Sequence, residues 1–303
     1  NEIKAYEKLG ISAEFVSSIP LPVECIGAVK VKNQAQFNPL EFLFSVAKGL
    51  RIYENTKVLE FMPEKVVCSG GTVTAKRIIV ATHFPIINKH GGYSLKLYQD
   101  RSYVIAVKNG PDVKGMYLED QGNSFSFRNY KNYLLIGSGS HRTGKKSVGY
   151  KTSEDFCKKN FPDARIEYRF ATQDCMSLDG IPYIGEYSKG SENLYVATGF
   201  NKWGMTSSMV CADILSDIIT GVKNPYTDVF SPSRSSLHLK LFENIFHSVV
   251  GLITPTAPRC PHMGCALKYN KEEHSWDCPC HGSRFTQKGE LIDNPATDDL
   301  NKD

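Results

Sequence analysis

Two short stretches near the carboxyl end of the chain each combine cysteine with histidine at close spacing. The first holds Cys260 and His262, and the second holds Cys278 and His281, with fifteen residues separating His262 from Cys278. A two-iron cluster in which histidines replace half of the cysteines needs two thiolates on one iron and two imidazoles on the other. The four residues supply that set, with Cys260 and Cys278 on one iron and His262 and His281 on the other.

Two cysteines and two histidines also suit a tetrahedral structural zinc ion. Zinc sites commonly group like with like, as C-x₂₋₄-C and H-x₃₋₅-H, whereas each stretch here mixes the two residue types. Zinc also gives no reason for the accompanying residues Gly264, Trp276, Gly282 and Ser283. The pattern therefore favours the iron–sulfur cluster, with a zinc-stabilised interaction module as the alternative.

The sequences C-P-H-M-G-C from residue 260 and C-P-C-H-G-S from residue 278 resemble the cluster-binding loops of the Rieske family. The resemblance is to the version with an extra cysteine pair, which implies a disulfide between Cys265 and Cys280. Two buried free thiols are the alternative for this pair. The remaining five cysteines are scattered singly, a distribution typical of a reducing cytoplasm, where we expect the protein to reside.

The same resemblance implies two hydroxyl groups in the second stretch that donate hydrogen bonds to cluster-side sulfurs. Such bonds stabilise the reduced cluster and raise its potential. Ser283 supplies one hydroxyl, but Phe285 stands where the high-potential relatives carry tyrosine. We therefore expect Ser283 and Phe285 to tune the cluster to a potential below that of those relatives.

Length and composition indicate two globular domains. The chain has 303 residues, of which 41% are hydrophobic, and its net charge of +4 is dispersed. This predicts no nucleic-acid partner, and the apolar run at 245–253 is too short to span a bilayer. No signal peptide is visible. Gly, Pro and Ser residues place a linker at 222–236, between a large domain at 1–221 and the cluster domain at 237–303.

Apolar strands alternate with helical patterns through the large domain, which predicts a mixed α/β or α+β fold. Helices are expected at 42–50 and at 205–220, the second closed by Gly221. Strands are expected at 51–58 and at 77–82. A further helix is expected at 237–246, ahead of the cluster-binding segment.

Three segments of the large domain, 75–82, 179–185 and 193–204, resemble in order the later part of D-amino-acid-oxidase-like FAD oxidoreductases. The whole arrangement resembles bacterial proteins that fuse such a flavoprotein to a carboxyl-terminal Rieske domain. The resemblance implies a partial flavoprotein fold followed by a small all-β Rieske domain, with FAD and a [2Fe–2S] cluster as cofactors.

The resemblance also implies flavin contacts, at strand ends and at a helix start whose amides could face the isoalloxazine. These are Val58, Ala81, Thr82, Gly180, Ile181, Gly199, Gly204 and Met205. Trp203 is the expected substrate-lining residue, and further polar candidates are His83, Arg128, His141 and Lys202. No residue is indicated as a nucleophile or general base.

The dinucleotide fingerprint G-x-G-x-x-G is missing from the sequence. At 137–144 the chain reads G-S-G-S-H-R-T-G, with the third glycine too late and no helical pattern after it. We therefore expect the first third of such a flavoprotein to be absent and FAD binding by this chain alone to be weak. Some strands that usually precede the first Rieske loop are also expected to be missing between 236 and 260.

These features predict an oxidoreductase. A flavin would take two electrons from a small organic substrate at a C–N or C–OH bond, and the cluster would exchange single electrons with a redox partner protein or a quinone-like acceptor. The alternative is a non-catalytic Rieske electron carrier on a remnant flavoprotein scaffold.

Overall fold

A computed structural model describes residues 2–87, 91–120, 125–235, 239–255 and 258–300. The helices are α1 (Glu2–Lys8), α2 (Pro39–Ala47), α3 (Tyr93–Lys96), α4 (Lys151–Asn160), α5 (Gly204–Thr220), α6 (Thr227–Phe230) and α7 (Leu239–Ile253). The strands are β1 (Ala13–Val16), β2 (Ala28–Val31), β3 (Val58–Met62), β4 (Lys65–Cys68), β5 (Gly71–Thr74), β6 (Ile78–Val80), β7 (Leu97–Lys108), β8 (Met116–Leu118), β9 (Ser126–Tyr130), β10 (Tyr133–Arg142), β11 (Arg165–Ser177), β12 (Tyr183–Glu186), β13 (Leu194–Thr198), β14 (Lys268–Asn270), β15 (Ser275–Asp277), β16 (Arg284–Thr286) and β17 (Leu291–Asp293).

The largest sheet has five antiparallel strands in the order β11-β7-β10-β9-β8. Along most of β7, alternate side chains are buried, as expected of a strand with one face on a core. Helix α4 packs on that face, where Ile105, Val107, Leu134 and Ile136 form the centre of a hydrophobic cluster. Burial of this apolar area is the main source of the sheet's stability.

A smaller sheet has the order β12-β13-β6, with β13 parallel to β6 and antiparallel to β12. Helix α5 packs against β12 and β13 through Cys211, Ile214 and Leu215. The predicted helix at 205–220 is confirmed, and it ends at Gly221 in the left-handed conformation, with φ of 77°, which favours glycine.

The predicted strand at 51–58 is wrong over most of its length, because β3 begins only at Val58 and pairs with β4. No described strand pairs with the preceding residues, and a strand requires a partner for its backbone groups. The helix expected at 42–50 begins earlier and ends at Ala47. The helix expected at 237–246 runs from Leu239 to Ile253, and residues 237–238 lie outside the described part of the chain.

Four three-residue strands, β14 to β17, form an antiparallel meander in sequence order. The mixed fold with an all-strand carboxyl-terminal region is therefore as predicted. No helix in the described residues is both long and apolar enough to cross a membrane. The boundaries at 221 and 236 stay a prediction. Within the segment between them, Arg234 forms an ion pair with Asp179, so this segment is attached to the large domain.

The carboxyl-terminal region packs tightly against the large sheet at β7 and at the end of β10. A Cβ atom at Gly282 would lie 2.4 Å from Cβ of Gln99, and one at Gly144 would lie 2.6 Å from the backbone nitrogen of Pro279. Both glycines have positive φ, so two independent constraints require glycine at each position. The two regions thus form one continuous packed body around the cysteine–histidine loops.

Candidate iron–sulfur site

The site is built on two loops with the same backbone hydrogen-bond pattern, loop 1 at 260–265 and loop 2 at 278–283. In each loop the first residue donates its N–H to the carbonyl of the sixth, at 2.9 Å in loop 1 and 2.8 Å in loop 2. The fifth residue, Gly264 or Gly282, donates back to the carbonyl of the first and has positive φ. The loops therefore present their side chains in matching geometries, as ligands around a common centre require.

The two predicted thiolate ligands lie together in the interior. Cys260 and Cys278 are each 1% exposed, and their thiols are within hydrogen-bond distance of one another. The contact with Cys278 and, after it, burial raise the pKa of Cys260, so its thiolate requires a compensating positive charge. A ferric ion shared by the two sulfurs would provide that charge.

The two predicted histidine ligands lie beside each other with perpendicular rings. The ring centroids of His262 and His281 are 4.9 Å apart. Burial lowers the pKa of His262 to about 4, and burial with the nearby charges of His262 and Arg142 lowers the pKa of His281 to about 3. Both imidazoles are therefore neutral at physiological pH, which is the state that binds a metal.

His281 shows most directly that the residues fit a metal centre. Its Nδ1 atom is buried and has no hydrogen-bond partner among the described residues, whereas its ring also bonds to the backbone of Ser94. A buried nitrogen without a partner is costly, and a metal bond at Nδ1 would satisfy it. The bond to the Ser94 backbone is the kind of outer contact that orients a ligating histidine.

The sulfur atoms of Cys265, Cys278 and Cys280 lie within 4.8 Å of one another. All nine cysteines of the chain are unbridged in this structure, so the disulfide between Cys265 and Cys280 is not formed here and stays a prediction. The three-thiol group mixes one predicted cluster ligand with both predicted disulfide partners. It does not include either histidine, so it does not by itself describe a Cys₂His₂ zinc site.

Ser283 and Phe285 both lie against the predicted ligands. The Ser283 hydroxyl hydrogen-bonds the thiol of Cys260 and also accepts a hydrogen bond from the backbone N–H of Ala296 at 2.9 Å. Phe285 is fully buried in the hydrophobic cluster that contains Cys260 and Cys278. The placement of both residues is that expected of groups that tune a cluster, and their effect on its potential stays a prediction.

Residues of the large domain complete the surroundings, and sequence reasoning had assigned no role at the cluster to any of them. The Phe84 ring lies edge-on to both histidines, 6.4 Å from His262 and 6.2 Å from His281 between centroids. The Arg142 guanidinium donates to the carbonyls of Pro279 and Cys280 in loop 2. Neither residue carried a sequence signal, because their proximity to the loops depends on the docking of the two regions.

Comparison with known proteins agrees with this architecture. The family model described as FAD dependent oxidoreductase matches residues 2–218, and the Rieske [2Fe-2S] domain model matches residues 243–302. The chain belongs to the FAD-dependent oxidoreductase family. It is a member that carries a carboxyl-terminal Rieske domain, and this pair of domains implies FAD and a [2Fe–2S] cluster as cofactors.

A relative with the same domain architecture is the Rieske 2Fe-2S iron-sulfur protein YhfW of Bacillus subtilis, which is 36% identical over 97% of this chain and 70% of its own length. That alignment runs over 356 positions, more than the 303 residues here, so YhfW carries segments without a counterpart in this chain. The cytochrome b6-f complex iron-sulfur subunit of Fritillaria agrestis matches only 37 residues, at 43% identity, covering 12% of this chain and 16% of its own.

Solved structures share the fold of the oxidoreductase domain. Glycine oxidase from Geobacillus kaustophilus superposes with a TM-score of 0.64 at 18% identity, covering 77% of this chain and 70% of its own. L-Proline dehydrogenase from P. horikoshii has the same TM-score at 16% identity, covering 77% of this chain and 71% of its own. At these identities the likeness concerns the fold alone.

The predicted flavin contacts of this FAD-dependent oxidoreductase do not all meet in one place. Val58 lines a cavity of about 700 Å³ together with β3, Ile78 and residues 190–194. The other predicted contacts in the described chain do not line it. Gly199 has φ of 71°, and a Cβ there would lie 3.1 Å from Leu97, so backbone conformation and packing already explain this glycine. Gly204 begins α5, and Gly180 and Ile181 lie in an exposed or half-buried turn.

Of the polar candidates, Lys202 has the most distinctive surroundings. Its Nζ lies 3.0 Å from the carboxylate of Asp100 and also contacts the hydroxyls of Ser102 and Ser140. Asp100 lies directly opposite Asp174 in the pairing of β7 with β11. Burial raises the pKa of Asp174, against the opposing influence of Lys202 and His83. Sequence reasoning missed both aspartates, because each reads alone as an ordinary polar strand residue.

The remaining candidates have structural partners or lie at the surface. Trp203 precedes α5 and is 61% exposed. His141 stacks on Tyr103, Arg128 is exposed on β9, and His83 hydrogen-bonds Gln99 at 3.0 Å. Their predicted contact with a substrate stays untested.

Proposed function

We propose that this oxidoreductase oxidises a small amine or alcohol with its flavin and transfers the electrons singly through its own Rieske cluster to an external acceptor. The observation that carries the proposal is the packing of Phe84, from the loop after β6, against both candidate histidine ligands. The histidine side of the site thereby faces the oxidoreductase domain, and Phe84 is 1% exposed. This arrangement favours electron exchange between the two domains through the histidine side of the site.

The oxidation of a C–N or C–OH bond releases two electrons and two protons. FAD, when bound, supplies the two-electron step and can deliver electrons singly, and the cluster accepts one at a time. Two transfers per turnover then reduce either two equivalents of a one-electron redox partner protein or one quinone, which takes up two protons to become its quinol. The protons leave to solvent, and an imine product would be hydrolysed by water.

The polar group around Lys202 supports an amine as substrate. One lysine faces two carboxylates, those of Asp100 and Asp174, so a second cation would be favourable beside Asp174. Lys202 also belongs to the loop at 199–204 that the family resemblance assigns to the flavin. Two neighbours of similar fold are named for amino-acid substrates, glycine and L-proline.

The scattered unbridged cysteines support the cytoplasm as the compartment.

A second candidate function is electron carriage without catalysis. Its support is the missing G-x-G-x-x-G fingerprint, without which the FAD pyrophosphate lacks its usual cradle in this chain. Under this function the purified protein would retain iron in stoichiometric amount but no flavin, and added amines would not reduce the cluster.

The deciding experiment is anaerobic mixing of the iron-loaded protein and FAD with a panel of amino acids, amines and hydroxy acids. We expect flavin bleaching by an amine followed by the EPR signal of the reduced Rieske cluster. Asp174→Asn should weaken the first step, and Phe84→Leu should slow only the second. The matched control Asp163→Asn alters a solvent-exposed aspartate outside the site. Flavin bleaching without cluster reduction would contradict transfer between the domains.

A further inference from the structure

Arg142, the last residue of β10, belongs to the oxidoreductase domain but binds the second cluster loop. Its Nε donates to the carbonyl of Pro279 at 3.1 Å, and its Nη2 donates to the carbonyl of Cys280 at 2.9 Å. Its Nη1 donates to Oδ1 of Asn244 on α7 at 2.6 Å. The guanidinium therefore has a fixed position beside loop 2, with donors directed at two successive peptide groups.

The charge of Arg142 is not neutralised by a carboxylate. In the described part of the chain no carboxylate oxygen lies within 4 Å of its guanidinium, which instead covers the ring of Tyr98 at 5.1 Å. The acidic group that acts on it from a distance is the exposed Glu243, and the basic groups on the same side are Lys145 and His247. Arg142 therefore places a positive charge beside loop 2 without a carboxylate in contact with it.

The other two arginines at this interface differ in this respect. Arg101 forms an ion pair with Glu273, and Arg284 bonds to Glu273, Asp277 and Asp293. A partly buried cation without a counter-ion is unfavourable unless an anion lies nearby. The reduced cluster is such an anion, because two thiolates and two neutral imidazoles leave it neutral when oxidised and singly negative when reduced.

We propose that Arg142 is a positioning residue through which the oxidoreductase domain raises the reduction potential of the Rieske cluster. The inference rests on the cluster assignment within the proposed function. The positive charge stabilises the reduced form directly. It also polarises the peptide groups between Pro279 and Cys280 and between Cys280 and His281, whose N–H groups point away from the arginine-bound carbonyls. Because Arg142 lies in the other domain, the potential depends on the docking of the two domains.

The test compares Arg142→Gln and Arg142→Lys with Arg165→Gln, which removes an exposed arginine at the far end of β11. The midpoint potential is measured by mediated titration of the EPR signal, with iron content determined in each sample. Arg142→Gln should lower the reduction equilibrium constant about tenfold or more, equivalent to 59 mV for one electron. The midpoint potential of Arg142→Lys, which keeps the charge, should fall by less. The midpoint potential of Arg165→Gln should match that of the unmodified protein.

An unchanged midpoint in iron-replete Arg142→Gln would overturn the proposal. Equal decreases of the midpoint potential in Arg142→Gln and Arg142→Lys would also overturn it, since hydrogen-bond geometry and not charge would then set the potential. Loss of the cluster in both variants would make Arg142 a structural residue only. The titration uses neither flavin nor substrate, so failure of the proposed substrate oxidation would leave its outcome unaffected.

Discussion

Arg101 on β7 and Glu273 in the turn between β14 and β15 form a two-bond ion pair across the boundary between the domains. The arginine side chain is 4% exposed and the carboxylate 14%. Glu273 also accepts a hydrogen bond from Arg284 at 3.1 Å, so one carboxylate connects the large sheet with the cluster domain. The docking that places Phe84 and Arg142 beside the loops therefore depends on a buried charge network.

This pair predicts a loss of stability in acid. Burial alone would raise the pKa of Glu273, but the hydrogen bonds and charges of Arg101 and Arg284 outweigh it and hold the pKa below its usual value. A depressed carboxyl pKa contributes stability that is present above about pH 4.3 and is lost as the pH falls below it. Glu273→Gln should cost about 3–5 kcal/mol at neutral pH, since it leaves buried arginines underpaired.

The measurement is the melting temperature by circular dichroism between neutral and acidic pH. The difference between the unmodified protein and Glu273→Gln should shrink as the pH falls through the glutamate range. The control is Glu154→Gln, which breaks the more exposed pair with Arg169 and should cost no more than about 1 kcal/mol. A constant difference at every pH would refute the assignment.

Removal of one predicted ligand should abolish or transform the Rieske signal, because each iron has only two protein ligands. His281→Ala is the sharpest variant, since the Nδ1 atom of His281 is buried and without a hydrogen-bond partner in the described structure. The matched control is His274→Ala, which removes an exposed histidine of the same domain. EPR spectra and iron content of both variants test the prediction, and a normal Rieske spectrum from His281→Ala would disprove the ligand assignment.

A count of free thiols tests the predicted disulfide between Cys265 and Cys280. Alkylation of the unreduced, unfolded protein should label two fewer thiols than the nine cysteines of the chain, as read by mass spectrometry. The double variant Cys265→Ala with Cys280→Ala should retain the ligands but shorten the lifetime of the cluster. A disulfide that closes a loop of this length stabilises the folded state by about 3 kcal/mol. Cys68→Ala, in the large domain, is the control. Nine labelled thiols would mean that the bridge does not form.

Phe285→Tyr should raise the cluster potential. Phe285 is fully buried beside the cluster cysteines, and a hydroxyl there would add a donor to the one from Ser283. A hydrogen bond to a charged acceptor is worth about 1.5–3 kcal/mol, which corresponds to roughly 65–130 mV for one electron. Protein-film voltammetry measures the shift, with Phe285→Leu as the control without a hydroxyl. An equal or lower midpoint in Phe285→Tyr would mean that residue 285 does not face the cluster.

The sequence by itself determined the class of the protein and predicted the ligand set. The alternation of Cys260 with His262 and of Cys278 with His281 is local information, because a loop of six residues can present ligands whatever lies around it. The helix that ends at Gly221 was equally predictable, because its apolar periodicity and the glycine in the left-handed conformation at its end both belong to one continuous segment of sequence. The strand expected at 51–58 failed because a strand depends on a partner elsewhere in the chain.

Tertiary structure alone decided what surrounds the cluster. Phe84 follows β6 and Arg142 ends β10, far from the cysteine loops in sequence, and both reach the loops only because the cluster domain docks on the large sheet. The close approach of Asp100 to Asp174 likewise follows from the register of β7 with β11. Contacts of this kind arise from the packing of whole elements, and a local pattern of residues does not encode how elements distant in the chain will pack.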